Sequence, residues 1–171
     1  EDLLRINPEG TPYTRKNICC NFPEVKEFSR NIGESVVKTY GEFPAFSAAL
    51  LNSEVRDSSQ VCFHDHDREA YRKASGNEYP EDVRIKNGIH YSKIENFPTN
   101  RVVPDDHELL QFYRWFWREG DGWNTVNTAL NEGLRSENPG SLWTFFDPAV
   151  RVPSLWGSGG EVDFISHWTY T

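Results

Sequence analysis

Asp147-Pro148-Ala149-Val150-Arg151-Val152-Pro153, followed by Gly157-Ser158-Gly159-Gly160-Glu161-Val162-Asp163-Phe164-Ile165-Ser166-His167-Trp168-Thr169, reads as a strand, a glycine-rich turn and a second strand. Strand side chains alternate between faces, so Val162, Phe164, Ser166 and Trp168 share one face and Asp163, Ile165 and His167 the other. Gly157, Gly159 and Gly160 offer the positive φ that a tight hairpin needs. On paired strands, Arg151 and His167 converge on one site of phosphate size. The plainer reading is a surface hairpin with an arginine and a histidine on its wet face, because charged side chains are mostly exposed.

Upstream of the hairpin, Leu142-Trp143-Thr144-Phe145-Phe146 is a short strand that feeds into it. Trp123 to Leu134 reads as a helix with Trp123, Val126, Leu130 and Leu134 on one face and Gly133 as a sign of fraying. Leu109 to Trp117 is the most hydrophobic segment. Its aromatic richness favours a buried central strand, with a helix capped by Asp105-Asp106 as the alternative. Val83 to Tyr91 alternates apolar and polar residues as far as the turn pair Asn87-Gly88.

Nearer the start, Val25, Phe28, Ile32, Val36 and Tyr40 recur at three- and four-residue spacing. That is an amphipathic helix, with Pro23 at its start and Gly41 at its stop. A second short helix is expected after Pro44, from Ala45 to Leu51, and a polar arm with one strand over Glu1 to Asn21. The predicted fold is α+β, with N-terminal helices packed on a central antiparallel sheet, and one domain over residues 1–171.

The chain carries a formal charge of −8, a pI near 5.1 and 14% aromatic residues over its 171 residues. Such aromatic content belongs to a folded core. No apolar run is long enough to span a bilayer, so membrane insertion is not expected. The acidic balance argues against a generic coat for RNA or DNA, which needs a basic field. There is no Met, and the chain starts at Glu1. The expectation is a mature secreted chain, its signal peptide removed. Cys19, Cys20 and Cys62 allow one disulfide to Cys62 with one thiol left over, closing a loop of about 40 residues worth about 3–4 kcal/mol. Three inert thiols of a cytosolic protein are the alternative.

His64-Asp65-His66-Asp67 invites a metal reading, since two histidines at spacing two can face one cation on an extended segment. A site needs a third and a fourth ligand, and nothing nearby in sequence supplies a second recognisable pair. The expectation is therefore no metal and no cofactor, with Asp65 or Asp67 capping a helix over Arg68 to Ser75.

Several short motifs fall into one order: Tyr79-Pro80 with Gly88 nine residues after the tyrosine, an aromatic segment around Gln111, a connection rich in Trp and Asn, Val150-Arg151-Val152, and Ile165-Ser166-His167. This order resembles the fungal guanyl-specific ribonucleases, the family that includes the ribotoxins and secreted effectors without activity. The resemblance covers roughly residues 62–171. It implies that His167 is the general acid toward the leaving 5′-oxygen, that Arg151 stabilises the charge on the phosphorus oxygens and that Tyr79 hydrogen-bonds the phosphate. Two positions depart from the pattern: Glu81 stands where the family has a loop histidine, and Gln111 where it has the strand glutamate. Glutamine cannot take a proton, and losing a positioned base costs about 10²–10⁴ in rate.

The expected function is a secreted, monomeric effector of ribonuclease fold with a decayed site, binding a host protein or RNA. An active ribonuclease using Glu81 is the alternative. A carbohydrate- or protein-binding module with exposed tryptophans is the third reading, and a flat exposed aromatic pair would favour it.

Overall fold

A computed structural model of the protein describes residues 3–55, 60–80, 83, 102–121, 123–137, 142–148 and 161–166. Four helices and three strands lie within them: α1 (Pro23–Tyr40), β1 (Ala48–Val55), α2 (Asp65–Ser75), α3 (Glu108–Arg118), α4 (Asn124–Leu134), β2 (Trp143–Pro148) and β3 (Phe164–Ile165). The class is mixed α and β, as expected from the sequence.

The sheet departs from expectation. Its order is β1-β2-β3, and both pairings are parallel, not antiparallel. Parallel neighbours need a crossover instead of a tight turn, so β2 and β3 do not form the predicted hairpin. β1 falls where a second helix was predicted. Ala48 to Leu50 pair in register with Trp143 to Phe145, and this sheet pairing decides the element. The glycine-rich turn, residues 157–160, and Val83–Tyr91 apart from the buried Val83, lie outside the described residues.

Leu109 to Trp117 forms α3 and is no strand. Leu109, Phe112, Tyr113, Phe116 and Trp117 are all buried at helical spacing, while Gln111, Arg114 and Arg118 take the wetter side. The helix is the centre of the core. Tyr71 of α2 and Tyr79 pack edge-on against Phe112, and Val61, Phe63 and Phe146 close the cluster. A helix in the middle of a core reads nearly as apolar as a central strand, so the aromatic content alone favoured the wrong element.

α1 packs on α4. Pro at its first turn, Glu24 there and Lys38 in its last turn match the helix dipole. Gly33 and Gly133 sit where the two backbones meet. A Cβ on Gly133 would run into the Arg30 carbonyl, and one on Gly33 into that of Leu130. Gly133 is therefore a packing residue, and it does not fray the helix.

The N-terminal arm is tied down. Isolated bridges join Leu4 to Ile18 and Ile6 to Pro12, and Phe63 N–H donates to the Ile6 carbonyl at 3.1 Å. Arg5 is wholly buried. It donates to the Ile18, Gln60 and Asp121 carbonyls and pairs with the Asp121 carboxylate. The arm and the segment before α2 are thus fixed beside each other, and this brings the candidate site together.

Candidate metal centre

Cys19 lies at the end of the arm, and His64, His66 and Asp67 lie at the start of α2. His64 is the helix N-cap, with no side-chain capping bond, and Asp67 sits in the first turn with its side chain turned inward. The helix start expected there is present, but neither aspartate provides the expected cap. Cys19 Sγ is 3.5 Å from His66 Nε2 and 3.5 Å from Asp67 Oδ2. His66 Nε2 is 3.3 Å from that same Oδ2, and His64 Nδ1 is 3.7 Å from it. One donor atom from each of the four residues lies within 4.8 Å of all the others.

These separations can be compared with a zinc shell. Tetrahedral bonds of about 2.3 Å to sulfur and about 2.0 Å to nitrogen or oxygen place S···N and S···O neighbours about 3.5 Å apart and N···O neighbours about 3.3 Å apart. The triangle Cys19 Sγ, His66 Nε2 and Asp67 Oδ2 has those edges, and a nitrogen of His64 lies within 4.8 Å of all three residues' donor atoms. Thiolate, imidazole and carboxylate together form the borderline donor set that suits zinc.

The surroundings support the same use. The Asp67 side chain is 1% exposed. What faces it is a thiol, two imidazoles and the Asn21 carboxamide, whose Nδ2 donates to Oδ1 at 2.6 Å. A buried carboxylate needs a cation or a full set of donors, and this one has its second oxygen turned toward three potential metal ligands. Asn21 holds the outer oxygen and so aims the inner one. The two imidazoles stack at 5.0 Å, with the edge of Phe22 against both. Burial and the neighbouring His66 hold His64 below the ordinary histidine range, so it stays in the neutral form that binds metal. A hydrogen bond with Cys62 and burial push the Cys19 thiol far up. A bound divalent cation would reverse that preference.

The same geometry does not set Cys19 up as the nucleophile of a Cys-His-Asp relay. In a Cys-His-Asp relay the carboxylate holds the ring nitrogen opposite the thiol. Here sulfur and carboxylate share Nε2 of His66, and Cys19 is buried from any substrate.

Behind this cluster are Cys62 and Asp121. Cys62 Sγ is 3.0 Å from His64 Nδ1, and Cys19, Cys62 and Asp121 form a second close set that shares the Cys19 sulfur. Asp121 is bound by Arg5 and by the Cys20 N–H, and burial pushes its carboxyl up to about 6 against the pull of Arg5. The three cysteines are free thiols, so the disulfide to Cys62 is not formed in this structure.

The residues implied by the ribonuclease resemblance are placed only in part. Arg151, His167 and Glu81 lie outside the described residues. Tyr79 and Gln111 share one cleft with Glu78, Asp106 and Glu108. Gln111 is on a helix, not a strand, and the Tyr79 hydroxyl donates to the Cys62 carbonyl at 3.3 Å. Among the tryptophans, Trp115 and Trp117 are buried and Trp143 is exposed. Trp143 is tilted by 57° from Phe164, whose face is stacked on Phe145, so these rings make no flat platform.

Comparison with known proteins adds no relative: no family model, no curated protein sequence and no solved structure matches the chain. His64 and His66 were visible as a pair from sequence. Their partners were not, because Cys19 is 47 positions from His66 and Asp67 looked like a helix cap.

Proposed function

We propose that the protein is a zinc-binding protein whose ion is held by Cys19, His64, His66 and Asp67. The carrying observation is the triangle of donor atoms from Cys19, His66 and Asp67, with edges of 3.5, 3.5 and 3.3 Å. Four protein donors complete a tetrahedral shell, which is the pattern of structural zinc and not of hydrolytic zinc. The ion joins the N-terminal arm to α2, adding to the Phe63–Ile6 backbone bond, the Arg5 and Tyr13 bonds to the segment before α2 and the Asn21–Asp67 bond. Metal bound to the folded state alone raises stability with the logarithm of its concentration.

The test is elemental analysis and thermal unfolding of the purified chain across a zinc titration. One zinc per chain is expected, with a melting temperature that climbs with free zinc, and both are lost in Cys19→Ser and His66→Ala. Absence of bound zinc together with a melting temperature indifferent to zinc overturns the reading.

The ribonuclease-like reading keeps one favourable observation, the shared cleft of Tyr79 and Gln111. Glu78, Asp106 and Glu108 line that same cleft, and their charge opposes a phosphate. Cleavage of a short mixed-sequence RNA that disappears in both Arg151→Ala and His167→Ala would restore it as the leading function, with secretion and a host partner as its corollaries.

A further inference from the structure

We propose that Cys19 and Cys62 form a peroxide-sensitive pair whose oxidation to a disulfide expels the zinc ion. The inference rests on the zinc reading above and assigns that site its regulation.

The Cys19 sulfur belongs to two sets at once. It lies within 4.8 Å of the donors of His64, His66 and Asp67, and within 4.8 Å of Cys62 Sγ and an Asp121 oxygen. A sulfur cannot serve both a full zinc bond and a disulfide. A disulfide needs the sulfurs about 2.0 Å apart, so closing the gap takes a movement under about 3 Å. Neither cysteine is inside a helix or strand, so side-chain rotation and a small backbone adjustment can supply that movement. Cys62 Sγ lies 3.0 Å from His64 Nδ1, the atom that the zinc reading makes a ligand, so Cys62 stands at the edge of the same shell. Cys20 is turned away, its sulfur 3.6 Å from the Arg5 guanidinium, and it belongs to neither set. The inner set is not a second cation site. Arg5 already holds Asp121 and would face any ion there at short range.

The chemistry balances with a hydroperoxide as oxidant. The Cys62 thiol attacks the peroxide oxygen, the O–O bond breaks, and Cys62 becomes a sulfenic acid while the thiol proton leaves with the departing oxygen as water or alcohol. The zinc-bound Cys19 thiolate then attacks the Cys62 sulfur. The S–S bond forms, hydroxide leaves, and the cation departs because its shell has lost the thiolate. Two electrons have passed from the two sulfurs to the peroxide. Both sulfurs are buried, so the oxidant proposed is a small peroxide and not a bulky disulfide reagent.

The zinc-loaded full chain is treated with hydrogen peroxide while a chromogenic chelator reports free zinc. Free thiols are counted, and non-reducing peptide maps identify the linked pair. The expected result is zinc release in step with loss of two of the three thiols and a Cys19–Cys62 linked peptide, reversed by a reductant. Cys62→Ser should keep its zinc and slow release by more than about tenfold, while Cys20→Ser behaves as wild type. Release at the wild-type rate from Cys62→Ser, a link through Cys20, or zinc retained after the Cys19–Cys62 link has formed each overturns the inference and leaves the zinc reading standing. Should Cys62→Ser fail to fold, the wild-type peptide map decides. A chain that holds no zinc before peroxide is added sinks the zinc reading itself, and the coupling with it.

Discussion

Arg5 and Asp121 form an ion pair from which solvent is excluded on both sides, with Arg5 Nη2 3.0 Å from Asp121 Oδ1. The guanidinium also lies over the Trp123 ring at 5.3 Å and serves the Ile18 and Gln60 carbonyls. One side chain therefore ties the arm, the segment before α2 and the loop after α3. Deleting one partner of a buried pair leaves the other charge uncompensated, at a cost of about 3–5 kcal/mol. Arg5→Met is expected to lose that much in urea unfolding. The double variant Arg5→Met with Asp121→Leu should recover part of it, because both charges are then gone.

Gly133 offers a test of the helix pairing. In an exposed helix, alanine is more favourable than glycine by about 1 kcal/mol. Here the added methyl meets the Arg30 carbonyl of α1, and two backbones would have to part. Gly133→Ala is expected to destabilise by about 1–3 kcal/mol despite the gain in helix propensity, read as a lower urea midpoint. A neutral or stabilising result would mean that α1 and α4 do not meet there.

These two sites show what the sequence could and could not disclose. α1 was legible as a helix because apolar residues recur at helical spacing between a proline and a glycine, but its packing face was not: Phe28, Ile32 and Tyr40 of that stripe are exposed, and the buried positions are Ser29, Gly33 and Val37. α4 and β2 were legible for similar local reasons. α3 was not, because nearly every residue of Phe112 to Trp117 is apolar and the weak helical signal lies in Gln111, Arg114 and Arg118. Strand direction was hidden as well, since alternation is the same in parallel and antiparallel sheets. In the site, His64, His66 and Asp67 were local to one motif, although Asp67 was read as a cap and not as a ligand. Cys19 alone enters through tertiary placement of the arm, 47 positions from His66, which no spacing rule encodes.

Asp163 latches β3 to β2. Its Oδ2 accepts from the Thr144 N–H at 2.7 Å, from the Thr144 hydroxyl at 3.1 Å and from Arg135 at 2.6 Å. These donors hold the carboxyl below its ordinary value of 3.8, with the backbone bond from Thr144 the main cause. A depressed folded value means stability that is present above about pH 4 and is lost as pH falls through the folded value. Asp163→Asn should therefore be less stable than wild type at neutral pH and should lose part of the acid limb below about pH 4. Equal acid limbs in the two proteins would show that the latch is not formed in solution.

Asn21 is the residue that separates a zinc site from a chance meeting of polar groups. It touches the outer oxygen of Asp67 and is no donor of the candidate shell. If the cluster were merely a hydrogen-bonded patch, Asn21→Ala would cost a modest amount of stability with or without zinc. If Asp67 is a ligand, the amide aims its carboxylate, and loss of such an outer partner weakens metal binding by about 10–100-fold. Zinc affinity measured by competition with a chelator is expected to fall by that factor in Asn21→Ala, while unfolding of the metal-free form changes little. A loss of stability of the same size with and without zinc, with zinc affinity unmoved, would place Asp67 outside the coordination shell.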